Sequence, residues 1–245
     1  MRSALACLLV ICTFAAPSHH APASSRLHFF QLLKEPRPVA PAANAAFIDT
    51  SALQEMLRGS NDRPQRWNRA PELTVLETVM QYHNGEPTAY TATSEQLTGQ
   101  EVDALTKDLT AALASLTDNT YDQFAAIHRE SVAAGTSVRL LRPGQIVVGR
   151  YRDVQKLVQT IGYGGRASRA DGTITGAAII LDSDYDRTSA KRKLLRTHEL
   201  GHALGYNHVQ SQISIMNPSI GPELTDFDRR AARMAFPSPL ASSSN

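Results

Sequence analysis

Two histidines stand four residues apart at positions 198 and 202, and a glutamate follows the first of them. They lie in the run Leu194–Leu204, which is rich in Leu and Ala and contains no Pro, so the run predicts a helix. Side chains at positions i and i+4 share one helix face, and His198 and His202 can therefore point two imidazoles toward one metal ion. Glu199, beside the first imidazole, can reach a water molecule bound to such an ion.

A third imidazole follows this predicted helix at His208. Gly205 lies in between, and glycine tolerates the left-handed backbone that ends a helix and turns the chain. Such a turn would return His208 as a third nitrogen ligand. Zinc binds imidazole nitrogens at roughly 2.0–2.1 Å in tetrahedral geometry, and a catalytic zinc site leaves one position for water. A single histidine is usually a packed or solvated side chain, but five specified residues in register favour a catalytic zinc site with Glu199 as proton acceptor.

The pattern H-E-x-x-H-x-x-G-x-x-H, from His198 to His208, resembles the signature of the metzincin zinc proteases. The segment Ser214–Pro218 is similar to the Met-turn of that family. The resemblance implies that Met216 forms an apolar floor under the histidines without binding zinc; ordinary core packing is the alternative. It is closest to matrixin-like secreted bacterial proteases, and it extends over roughly Arg66 to Pro237, most strongly from Gly176 onward.

Membership of this family would imply an α+β fold, built as an α/β sandwich. Its parts would be a mixed, mostly parallel twisted sheet, a packing helix, the active-site helix, the Met-turn and a C-terminal helix. It would also imply an endopeptidase that hydrolyses peptide bonds in a protein or peptide substrate. The zinc-bound water would attack the peptide carbonyl, and Glu199 would act as general base.

The same resemblance implies that two stretches of the chain bind substrate. The strand Thr175–Asp182 would be the sheet edge that pairs with the substrate backbone, although its lack of charge also allows an interior strand. The residues of this strand that would contact substrate are Ala177, Ala178, Ile179 and Ile180. Beyond the Met-turn, Pro218, Ser219 and Ile220 would wall the pocket for the side chain just past the cleaved bond.

Departures from the family pattern leave the metzincin subfamily open. Val209 matches none of the residues that usually follow the third histidine, and no Tyr follows Met216 closely. No His lies between Arg129 and Thr197, so the second, structural zinc of vertebrate-type matrixins is not expected. Alternating carboxylates in Asp182–Asp186 could hold Ca²⁺, but the EF-hand pattern fails there, and a solvated acidic loop is the alternative.

Hydrophobic spacing predicts the elements that must position this site. Leu73–Tyr82, Gln123–Val132 and Gln145–Arg150 have the composition of strands. A capping box at Thr98–Glu101 opens a packing helix with apolar residues at helical spacing. The glycine-rich, basic segment Gly162–Gly172 is predicted to be a mobile loop beside the cleft. A final helix begins near Thr225, and Trp67 is predicted to anchor the core.

The amino-terminal part predicts export. Residues 1–23 resemble a signal peptide, with Arg2 before an apolar run that is too short to span a bilayer. Residues 24–65 are a Pro- and Ala-rich extension, which is either a short propeptide covering the active site or a disordered linker. If it is a propeptide, Asp49 or Asp62 would be the acid that blocks zinc. The catalytic domain is assigned to residues 66–238 and a polar tail to 239–245.

Composition limits the partners. The net charge of +2 gives no sign of the basic surface that nucleic-acid binding requires. Both cysteines lie in the predicted signal peptide, so the mature chain would form no disulfide. We expect a secreted or periplasmic monomer without a stable membrane span. Two other functions stay open: a catalytically silent zinc-binding module that binds peptides in the cleft, and a surface protein held by an uncleaved signal anchor.

Overall fold

A mixed nine-stranded sheet carries the fold in a computed structural model, which describes residues 26–33, 50–59, 63–83 and 89–237. The strands are β1 (Arg26–Leu33), β2 (Glu72–Leu76), β3 (Thr78–Gln81), β4 (Ala89–Gln96), β5 (Ile127–Glu130), β6 (Ser137–Arg139), β7 (Gln145–Arg152), β8 (Thr160–Ser168) and β9 (Ile174–Asp182). The helices are α1 (Thr50–Leu57), α2 (Gly99–Leu116), α3 (Val154–Val158), α4 (Ser183–Thr188), α5 (Arg192–Leu204) and α6 (Asp226–Ala235). The predicted signal peptide, the tail from 239, Asp49 and Asp62 lie outside the described residues.

The middle of the sheet is parallel, and the strands β1, β8, β4 and β6 toward its ends pair antiparallel. β7 runs parallel to β2, β3 and β9, and β2 runs parallel to β5. β8 pairs antiparallel with β9 on one side and β1 on the other, while β4 pairs antiparallel with β3 and β6. This mixed sheet with helices packed against it confirms the predicted α+β class.

Helices α1, α2, α5 and α6 contribute to one apolar core on the same face of the sheet. The capping box of Thr98 and Glu101 begins α2 as predicted, and the apolar residues of α2 at helical spacing are buried. Trp67 is buried in this core and donates its indole N–H to the carbonyl of Ala203 at 3.0 Å, near the end of α5. The described helices include none that is long and apolar enough to cross a membrane.

Three predictions about local structure are wrong. Most of the glycine-rich segment is strand β8 rather than a mobile loop, because β1 and β9 both hydrogen-bond to it. The strand within Thr175–Asp182 is β9, and it is interior, since β7 occupies one edge and β8 the other. The acidic segment after β9 is helix α4, which Asp182 caps by accepting from the N–H of Tyr185.

Buried ion pairs connect α4 to the neighbouring elements. Asp186 on α4 is fully buried, and its carboxylate accepts from Arg150 of β7 and Arg196 of α5 at 2.7–2.8 Å. Arg196 also donates to Asp108 of α2 at 2.7 Å, and Arg150 pairs with Glu101. A carboxylate that contacts two guanidinium groups offsets much of the cost of burying three charges. These pairs fix the start of α5 against the sheet.

Candidate metal centre

Helix α5 carries the first two histidines, and both are buried. The helix ends at Gly205, whose φ of +123° is a conformation that residues with a side chain rarely adopt. A β-carbon there would also lie 2.0 Å from the carbonyl oxygen of Gln65, so only glycine fits. The chain then turns back and brings His208 to the histidines of α5, as the sequence predicts.

The three histidines meet at their Nε2 atoms. The Nε2 of His202 lies 3.0 Å from that of His198 and 3.1 Å from that of His208, and the third separation is 3.2 Å. An ion bound tetrahedrally at about 2.05 Å from each nitrogen would require separations of about 3.3 Å. Within the described residues, these three histidines form a group of side chains close enough together to hold a metal ion.

Backbone carbonyls fix the tautomers of the two helical histidines. The Nδ1 of His198 lies 2.6 Å from the carbonyl oxygen of Ile215, and the Nδ1 of His202 lies 2.9 Å from that of Tyr206. A carbonyl only accepts, so each Nδ1 carries the proton and each Nε2 presents a lone pair to the centre. Lone pairs that face one another repel unless a cation lies between them, which makes this donor set fit a metal ion.

Burial keeps the imidazoles neutral, the form that binds metal. Loss of hydration, together with the nearby His208, lowers the pKa of His198 to about 3. Burial likewise lowers the pKa of His208 to about 4, and it lowers the pKa of His202 well below its ordinary value. Protons therefore compete poorly with a metal ion for these nitrogens.

Glu199 is fully buried beside the first histidine, and neither carboxylate oxygen has a hydrogen-bond partner in the described part of the chain. Burial raises its pKa well above the ordinary value for a glutamate. An unpaired buried carboxylate is costly, and in native structures it calls for an explanation such as a catalytic role or a water molecule or ion at the site. A water bound to metal at the three histidines would satisfy it; the catalytic role of Glu199 stays a prediction.

Strand β8 lies directly against this carboxylate. A β-carbon at Gly162 would be 2.6 Å from Oε1 of Glu199, and one at Gly164 would be 3.0 Å from Oε2 and 2.6 Å from the β-carbon of His202. The glycines therefore allow the strand to approach the site, which is a function that sequence reasoning missed. Their alternation in the sequence was the available signal, because alternate residues of a strand share one face.

The segment Ser214–Pro218 packs against α5, and its predicted role as a Met-turn stays a prediction. Met216 is fully buried, and its sulfur would lie 2.5 Å from a β-carbon at Gly201, one turn before the end of the helix. The carboxylate of Asp228 on α6 accepts from the hydroxyl of Ser214 and, at 3.1 Å, from the backbone N–H of Ile215. Asp228 thus holds the carbonyl that orients His198. Sequence reasoning missed it, although the capping box that it forms with Thr225 is visible there.

The amide of Asn217 closes the loop between the third histidine and Met216. It donates to the carbonyls of Val209 and Gln212 at 2.7 and 2.9 Å, and its oxygen accepts from the N–H of Ser214. The next residues, Pro218 and Ile220, are partly buried and Ser219 is buried, so none of the three is freely exposed. Their role in substrate binding stays a prediction.

The predicted substrate contacts of β9 are wrong. Ala177 and Ile179 pack into the core on the helix side, and Ala178 and Ile180 pack into the core on the other face. Their backbone groups pair with β7 and β8, so this strand has no edge to offer a peptide. The reason is that β8, which follows β7 in the chain, pairs with the edge of β9 that β7 leaves free, and β1 pairs in turn with the outer edge of β8.

The arrangement of the acidic segment Asp182–Asp186 does not support the predicted binding of Ca²⁺. Asp182 accepts from the backbone N–H groups of Tyr185 and Gln155, both at 2.9 Å. Asp186 is paired with two arginines, and Asp184 is exposed. The three carboxylates therefore do not gather around one point.

Comparison of the sequence with protein-family models and with curated proteins gives no match. The case for a metal site therefore depends on the residues of this chain, above all on the triangle of Nε2 atoms.

Proposed function

We propose that this protein is a secreted zinc endopeptidase of metzincin type, similar to the matrixins. The observation that carries the proposal is the pairing of two features: three Nε2 atoms 3.0–3.2 Å apart, and a buried carboxylate without a partner, at Glu199, directly after the first histidine. A structural zinc site would usually have four protein ligands, whereas three histidines leave a position for water.

The residues divide the work of hydrolysis between them. His198, His202 and His208 would hold zinc, which when bound supplies a Lewis acid and lowers the pKa of its water to about 7. Glu199 would accept a proton from the attacking water and donate it to the leaving amine. Burial raises the pKa of Glu199 above the ordinary value for a glutamate, which makes its carboxylate a stronger proton acceptor.

The outer edge of β8 is the surface on which we propose that substrate binds. β8 contacts Glu199 and His202 through its glycines, so a peptide paired with this edge would run beside the metal site. Backbone pairing supplies affinity with little demand on sequence. The edge is paired with β1 in register from Arg26 to Leu33, and a substrate would therefore compete with the chain's own amino-terminal segment.

A cavity of about 230 Å³ lies between α2, the start of α5 and the segment before α6. Its walls include Thr197, which precedes the first histidine, and Ile215, whose carbonyl orients that histidine. The three histidines and Glu199 are not among its lining residues, and we propose that it takes a side chain of the substrate.

The test is cleavage of a mixed peptide library by the purified secreted chain, with cleavage sites and the mature amino terminus determined by mass spectrometry. We expect zinc-dependent cleavage within peptides, which stops on chelation and returns with added zinc. Glu199→Ala serves as the matched control. Zinc binding without turnover, even after removal of the segment that contains β1, would contradict the endopeptidase.

A second function is favoured by the occupied edge of β8. A catalytically silent zinc-binding module would keep the same three histidines and could retain β1 permanently on the sheet. The library assay separates the two functions, because the module would bind zinc without turnover in both the full-length and the truncated chain.

A further inference from the structure

Arg166 lies on β8 with a guanidinium that is almost completely buried, at 1% exposure. It reaches the C-terminal end of α5 and the turn that follows. Nη1 donates to the carbonyl oxygens of His202 at 2.9 Å and Tyr206 at 3.3 Å, and Nη2 donates to Oδ1 of Asn207 at 2.9 Å. A cation at this end of a helix is also favoured by the helix dipole.

These contacts join Arg166 to two of the three histidines. The carbonyl of Tyr206, which accepts from Arg166, is the same group that accepts the Nδ1 proton of His202 at 2.9 Å. Asn207, the third acceptor, directly precedes His208 in the chain. The guanidinium of Arg166 therefore contacts the chain on both sides of the Gly205 turn. This turn sets the position of His208 relative to His202.

Neighbouring residues hold both ends of this contact. The Nε of Arg166 donates to Oε1 of Gln65 at 2.5 Å, and the Gln65 amide in turn donates to the hydroxyl of Ser168 at 2.8 Å. Asn207 is held by α1 as well: its backbone N–H donates to the carbonyl of Met56, near the end of that helix, at 2.8 Å. Asn207 is thus fixed between β8 and α1.

We infer that Arg166 is a positioning residue for the metal centre: it holds His202 and the His208 turn in the arrangement that binds zinc. The inference rests on the proposed function. Groups that orient metal ligands typically change metal affinity by 10- to 100-fold when they are removed. Lysine cannot replace the guanidinium here, because a single ammonium group cannot follow the fork that spans three acceptors.

The test compares zinc dissociation constants of the full chain by competition with a chromophoric chelator, well below the unfolding temperature. Arg166→Met and Arg166→Lys should each weaken zinc binding by about 10- to 100-fold. Arg150→Met is the matched control, since Arg150 is equally buried but contacts acidic residues away from the histidines. That variant should lose stability while its zinc affinity stays within about twofold of wild type.

A second variant covers the case in which the Arg166 substitutions prevent folding. Asn207→Ala removes one acceptor of the guanidinium from a residue that is only partly buried. It should also weaken zinc binding. In the double variant with Arg166→Lys, zinc affinity should fall by less than the product of the two single fold-changes, because the two residues share a contact. The cobalt-substituted protein should show a shifted d–d absorption band in the variants and an unshifted one in Arg150→Met.

The outcomes are distinct. Wild-type zinc affinity in folded Arg166→Lys and Asn207→Ala, with an unchanged cobalt spectrum, would overturn this inference and leave the proposed function standing. Failure of the wild-type chain to bind zinc would overturn the proposed function, and the inference with it.

Discussion

Gly162 of β8 and Glu199 of α5 are in such close approach that a β-carbon on the glycine would lie 2.6 Å from the carboxylate oxygen Oε1. Any side chain at this position must therefore displace the carboxylate or the strand. The contact joins β8 to the residue that we propose as general base, and it leads to the first prediction.

Gly162→Ala should lower kcat for peptide hydrolysis by about 10- to 100-fold, since a displaced base transfers a proton less efficiently. Zinc content should not change, because the substituted residue does not contact the three nitrogens. The measurement is steady-state kinetics alongside metal analysis. Gly99→Ala is the matched control: a β-carbon at Gly99 meets nothing within 4 Å, and that variant should keep full activity.

Glu199→Gln and Glu199→Ala should retain zinc and lose peptide hydrolysis by at least about 10²- to 10⁴-fold, the usual contribution of a general base. The glutamine variant keeps the shape of the side chain and removes its ability to accept a proton. Zinc analysis and peptide turnover are measured on the same preparation. Turnover at the wild-type rate in either variant would remove Glu199 from this role.

Truncation before α1, which removes β1, should raise kcat/KM for extended peptides, because the outer edge of β8 is then free to pair with substrate. A synthetic peptide with the sequence of Arg26–Leu33 should inhibit the truncated enzyme competitively. A scrambled peptide of the same composition is the control. Equal activity in the full-length and truncated chains, without inhibition by the peptide, would show that β1 does not obstruct substrate.

Metal-free protein should lose stability as the pH falls below about 6.5. The folded-state pKa is about 3 for His198 and about 4 for His208, against an ordinary value of 6.5. Between these values the unfolded chain binds protons that the folded chain does not, which favours unfolding by about 1.4 kcal/mol per pH unit for each histidine. The loss of stability continues toward pH 4. The contribution of His208 ends first, because the pKa of His208 in the folded chain is higher than that of His198.

Urea denaturation of chelator-treated protein at pH 7, 6 and 5 checks this dependence. His208→Gln should reduce the slope of stability against pH, since one of the titrating groups is gone. Saturating zinc at pH 7 should raise stability further, because a ligand that binds only the folded state stabilises it by mass action. A free energy of unfolding that is constant from pH 7 to 5 would contradict the assignment of these histidines as buried and neutral.

Asp186→Asn should destabilise the fold by about 3–5 kcal/mol, the usual result when one partner of a buried ion pair is removed. The substitution leaves the buried guanidinium of Arg150 without this carboxylate and weakens the contact with Arg196. Asp184→Asn is the matched control on the same helix, because Asp184 is exposed and should change stability by less than about 0.5 kcal/mol. Thermal unfolding of the two variants measures the difference.

The sequence by itself determined the part of the site that one helix and one turn encode. The i, i+4 spacing of His198 and His202, with Gly205 as the only residue that fits its turn, makes the histidine triangle a local consequence of the chain. The packing helix α2 and the anchor Trp67 were predictable for the same reason, since capping and apolar spacing act over a few residues.

Only the tertiary structure decided that β8 lies between β9 and β1 in the sheet. β8 contains three glycines, which weaken a strand signal, and its pairing with β1 joins residues more than a hundred positions apart. Asp186 and Arg166 likewise look like ordinary charged residues in the sequence, and their partners come from other elements. Spacing encodes contacts within an element, whereas contacts between distant segments depend on the strand order of the folded sheet. That order places the glycines of β8 beside Glu199.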